Sequence, residues 1–91
     1  MSLGAAGFDT RPKLLQQDAV EVLVIGEARE WVTVEYAADA VTAGRKKALI
    51  ILGHIPSEQD GMAEFARWLG TLVKEVPVTF LPAADPFWAP R

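Results

Sequence analysis

Two short runs constrain this chain more than anything else in it: Val22-Leu23-Val24-Ile25 and Ala48-Leu49-Ile50-Ile51-Leu52. Neither alternates apolar with polar residues, as a strand with one wet face would. Uninterrupted apolar strands are characteristic of parallel sheets covered on both sides. Each run stops at a glycine, Gly26 and Gly53. Between them the period changes. Trp31, Val34, Ala38 and Val41 recur at helical spacing, and Gly44 follows as a helix stop. After the second run, Ser57-Glu58-Gln59-Asp60 has the helix-start pattern of a hydroxyl followed three residues later by an acid. Met62, Phe65, Leu69, Leu72 and Val76 carry that helix to Pro77, and Val78-Thr79-Phe80-Leu81 reads as a third strand. The order is β-α-β-α-β, an α/β fold with a mainly parallel sheet and right-handed crossovers.

Two helices can hardly cover both faces of such a sheet. The second cover is expected from outside these 91 residues, as further polypeptide or another subunit, which makes the chain half or less of a larger fold and a homo-oligomer. The alternative is that residues 1–20 fold back over the sheet. Residues 1–17 are weakly patterned, with a short helical turn after Pro12, and Met-Ser-Leu at the start has the look of a tag remnant. Residues 18–91 form the α/β domain and its Pro-rich tail, where Phe87 and Trp88 read as an exposed pair suited to docking.

Composition removes several classes of function. A net charge of −3 gives no electrostatic ground for binding nucleic acid or an anionic membrane. The one basic cluster, Arg45-Lys46-Lys47, falls at a helix end, where cations suit the dipole. No apolar run approaches the ~20 residues of a membrane span. There is no signal-peptide pattern and no cysteine, so the expected compartment is the cytoplasm, without disulfides or thiolate metal sites. Neither a dinucleotide-binding nor a P-loop glycine motif is present. Trp31 and Phe65, on helices, read as core rather than as platforms for bases.

What remains is chemistry at strand ends. Gly26-Glu27 and Gly53-His54 each place a ligand-type residue just past a strand, the edge where open parallel sheets build their sites. Glu58, one helical turn beyond His54, leans over the same edge. A neutral imidazole and a carboxylate suit Zn²⁺, Mn²⁺ or Fe²⁺. Each residue also has a plain reading: a lone His at a strand end is usually just hydrogen-bonded, and an acid in a first helical turn answers the dipole. One His with one or two acids makes a poor chelate, where a catalytic metal normally takes three or more protein ligands.

The stretches "VLVIGEAREW", "ALIILGHIPSEQDGM" and "PVTFLPAADPFW" together resemble the C-terminal portion of the NIF-three-like dinuclear metal-centre proteins, often described as homologues of a type two GTP cyclohydrolase. The resemblance spans roughly residues 18–88. It implies an α/β protein of two similar halves, assembled as a toroidal hexamer, with two divalent metals per site. By the Gly-His-x-x-[Ser/Thr]-Glu motif it implies that His54 and Glu58 are metal ligands and that Glu27 stands close to them, orienting a ligand or touching substrate. The family's other ligands, a His-His pair and an Asp, belong to an N-terminal part with no counterpart here, and family chains exceed twice this length. The expectation is therefore a fragment or a reduced form with an incomplete site, inactive alone and weak for metal. Three functions compete: a metal-dependent hydrolase-like protein acting on an unspecified small molecule, a metal-handling or regulatory protein, and an oligomeric assembly module.

Overall fold

A computed structural model describes residues 1–84; Phe87 and Trp88 lie outside the described residues. The elements are α1 (Arg11–Gln16), β1 (Val22–Ile25), a π-helical turn (Glu30–Val34) that runs straight into α2 (Glu35–Thr42), β2 (Ala48–Ile51) and α3 (His54–Leu72). The chain is α/β: β1 and β2 pair in parallel, with Val22 opposite Ala48 and Ile25 opposite Ile51. Gly44 ends α2 as expected. It sits at φ +77°, its N–H donates to the Val41 carbonyl and that of Arg45 to Ala40. This double bond pattern needs a left-handed residue at the turn. The basic cluster beyond it is tied down too, with Arg45 paired to Asp18 at 2.8 Å and Lys47 donating to the carbonyls of Gln17 and Val20.

Residues 1–20 do fold back, but onto the face that α2 also covers, so they do not supply the second cover held above as the alternative. Leu15 of α1 packs with Leu23, Ile25 and Ala37, and this small cluster is the core. The first residues go to the sheet edge. Ser2 bridges to β1, its N–H donating to Val24 at 2.9 Å and its carbonyl accepting from Gly26 at 3.1 Å. Gly26 is required there, because a Cβ would strike both the Gly4 backbone and the Ser57 hydroxyl. Arg11 is fully buried beneath this segment and donates to the carbonyls of Ser2, Gly4 and Glu27. Burial pushes the guanidinium pKa down, and the Glu27 charge opposes that.

Four expectations are corrected. The buried face of the first long helix is Thr33, Ala37 and Ala40, not Trp31, Val34, Ala38 and Val41; Trp31 is 71% exposed. The π-helical turn rotates the face by taking more residues per turn than α-helical spacing assumes. The small Ala37 and Ala40 also let the backbone come close to the sheet. Next, α3 begins at His54 rather than Ser57: Gly53 at φ +92° turns the chain directly out of β2, and Pro56 is accommodated in the first turn. Third, no strand forms from Val78–Leu81. These residues run beside α3, lining a groove with Ile55, Met62, Phe65 and Leu69, and Leu81 is left 82% exposed. Last, Phe65 is not core: α3 buries none of its residues and makes few contacts with the other elements. The face of the sheet opposite α1 and α2 is therefore bare among the described residues, with Val22 51% and Ile50 48% exposed.

Candidate metal-ligand site at the strand ends

The parallel register brings Gly26-Glu27 beside Leu52-Gly53-His54, so the two strand ends deliver an acid and an imidazole to one edge. His54 opens α3, and Glu58 stands one turn further on the same helix face. The three side chains meet. Glu27 Oε2 lies 2.8 Å from His54 Nδ1, and Glu58 Oε2 lies 3.1 Å from His54 Nε2. All three are about half exposed. The hydrogen bond to Glu27 is the main cause holding the His54 pKa above its ordinary 6.5; desolvation opposes it, and the charges of Glu58 and Glu27 and the hydrogen bond to Glu58 add to it.

This arrangement has a definite chemical meaning. A neutral imidazole has one N–H and one lone pair. With Nδ1–H given to Glu27, Nε2 presents a lone pair to a carboxylate oxygen. Two acceptors 3.1 Å apart require something positive between them, either the proton of an imidazolium or a cation. Glu27 meanwhile fixes the tautomer and ring orientation, the role that a carboxylate behind a ligating histidine plays in metal sites. As a donor set, Nε2 and Glu58 are within reach of one ion with ligand distances of ~2.0–2.2 Å. They fit as a partial set only. Among the described residues no three His, Asp or Glu side chains converge as a metal-holding group, because Glu27 addresses the far side of the ring.

Ser57, Arg11 and Gln59 build the rest of the edge, in roles the sequence did not suggest. Ser57 is no cap: its hydroxyl donates to the His54 carbonyl at 2.7 Å and accepts from the Gly4 N–H at 3.0 Å. The Ser2–Gly4 segment is thus pinned against the first turn of α3, and Arg11 pins it from beneath. Nothing local in "TRPKLL" marks Arg11 as buried. Gln59 was also unread; its side-chain oxygen is buried without a hydrogen-bond donor.

Fold and site together define an α/β chain with a carboxylate–histidine–carboxylate cluster at the carboxyl edge of a parallel strand pair. Comparison with family models, curated proteins and solved structures returns no match.

Proposed function

We propose that this chain is a divalent-metal-binding protein of the NIF-three-like kind, hydrolase-like in its chemistry, with His54 Nε2 and Glu58 as ligands and Glu27 as the residue that orients His54. The observation that carries this reading is the His54 ring set between two carboxylates, Glu27 at 2.8 Å from Nδ1 and Glu58 at 3.1 Å from Nε2. A bound ion there would act as a Lewis acid and acidify a coordinated water. The protein's own share is to hold the imidazole in one tautomer and to keep the edge open to solvent. Two-metal hydrolysis needs a second ion ~3.5–4 Å away, for which the described residues offer no further ligands. Turnover is therefore not expected from this chain alone, and affinity should be modest. The working compartment we propose is the cytoplasm; among the described residues no helix is long and apolar enough to cross a membrane.

The test is calorimetric titration with Zn²⁺ and Mn²⁺. One ion per chain should bind weaker than micromolar, and His54→Ala or Glu58→Gln should abolish it. Glu27→Gln should weaken it about tenfold, the usual cost of losing a residue behind a ligand. Unchanged binding in His54→Ala would sink the reading.

An assembly role rests on a separate observation, the bare sheet face and the unpacked apolar stripe of α3. We propose that the protein works as a homo-oligomer that covers them.

A further inference from the structure

A cavity of about 780 Å³ opens at the same edge, between the strand ends, the π-helical turn and the first turn of α3. Its size is that of a small-molecule pocket. Val34, Leu52 and Ile55 give it apolar walls, and Glu27, Glu30 and Gln59 supply its polar groups together with His54. Among the described residues, no lysine or arginine lines it. Arg29 stands between two lining residues, Ala28 and Glu30, yet its guanidinium lies over the Phe8 ring, 4.7 Å from the centroid. Arg11 is likewise committed, to Phe8 at 5.0 Å and to the buried carbonyls.

Two positive features oppose this pattern and are the weaker. The amino end of α3 carries about half an elementary charge, reduced here because Pro56 has no N–H to offer. A protonated His54 adds at most one charge, already met by Glu27 on one nitrogen and Glu58 on the other. Glu30 is left without a salt-bridge partner among the described residues. Burying an anion against these carboxylates would be unfavourable, whereas an ammonium group would gain charge-assisted hydrogen bonds.

We infer that this cavity binds a small organic cation: a primary ammonium or amidinium group carried on an apolar, ring-sized body. The cationic group is held by Glu30 and Glu27, and the body rests on Val34, Leu52 and Ile55. Phosphate-bearing and carboxylate-bearing molecules are disfavoured. This goes beyond the metal reading and does not require an ion.

The experiment uses chelator-treated protein at neutral pH and two probes of matched length and ring, 2-phenylethylamine and 3-phenylpropionate. The readout is the methyl NMR spectrum of Val34, Leu52 and Ile55. The amine should shift these methyls saturably, and the carboxylate should fail to do so at tenfold higher concentration. Glu30→Gln, away from the proposed ligand pair, should weaken the amine by about fivefold or more, the scale of losing one hydrogen bond to a charged group. Amide NMR dispersion of this variant, unchanged from the wild type, verifies that it folds. Equal binding of the carboxylate, no saturable shift with the amine, or full amine affinity in Glu30→Gln would overturn the inference. Amine binding with no zinc binding would overturn the metal reading and leave this one standing; the reverse pattern would do the opposite.

Discussion

His54 is the residue on which most of the chemistry turns, and its protonation can be followed directly. In chelator-treated protein its NMR titration should fall above 6.5, and Glu27→Gln should bring it down, since that hydrogen bond is the main cause of the shift. A raised folded-state pKa means that the cluster stabilises the fold fully below the unfolded value and loses that effect as pH rises through the folded one. Metal must displace the same proton, so zinc affinity should rise over the same interval. Arg11 makes a second test at this scale. Arg11→Met keeps the volume but removes the side-chain donor from three carbonyls, of which those of Ser2 and Gly4 keep backbone partners, and should lower stability by about 1–3 kcal/mol in urea unfolding. Thr33 points the other way. It is fully buried with its hydroxyl unpartnered, so Thr33→Val should be neutral or raise stability by about 1 kcal/mol. His54, Glu58 and Glu27 were legible in the sequence because each sits within a few residues of a strand end that its neighbours mark. Arg11 and Gln59 were not, because what surrounds them comes from distant parts of the chain.

At the scale of elements, both strands, the parallel register and the Gly44 stop follow from local pattern: apolar runs, a helical span between them and a residue free to adopt positive φ. The helix face did not follow. A π-helical turn at Glu30–Val34 breaks the 3.6-residue period that places residues on a face, and nothing in EWVTV distinguishes it from an α-helical start. The third strand was misread for another reason: Val78–Leu81 keeps a strand-like composition, but pairing with β2 would require α3 to lie across the sheet, and α3 leaves it. The edge taken by Ser2 is testable here. Gly26→Ala places a methyl group against the Gly4 backbone, where no flexible side chain can yield, and should destabilise by about 1–3 kcal/mol while detaching the first residues. Faster amide exchange at Gly26 and Glu27 would report that detachment.

For the whole molecule the governing fact is how much apolar surface stays uncovered. Phe65 at 48% and Trp68 at 50% exposure on α3 accompany Ile50 and Ile51 on β2. Apolar area left uncovered in this way marks an interface more often than a free surface. Light scattering at micromolar concentration should give a mass above that of one chain, and Phe65→Glu should shift it downward. A compact monomer that is unchanged by Phe65→Glu would argue against assembly.

The hydrogen bond from Gly4 to Ser57 joins residues 53 apart in the chain. Closing a loop of that length from an open chain costs about 3.5 kcal/mol, whereas one such bond returns about 1 kcal/mol. It cannot form early. The β1–β2 pairing must first draw residue 57 towards residue 27, and the Ser2 bridge must bring Gly4 to the same place. The clamp over the His54–Glu58 pair is thus the last contact to be made and the first to be lost. During synthesis it waits until α3 has emerged, long after β1 is complete. In the finished protein the Gly4 amide should exchange with solvent well before that of Leu52, which is bonded across the strand pair, so the site opens by releasing its oldest residues while the sheet holds.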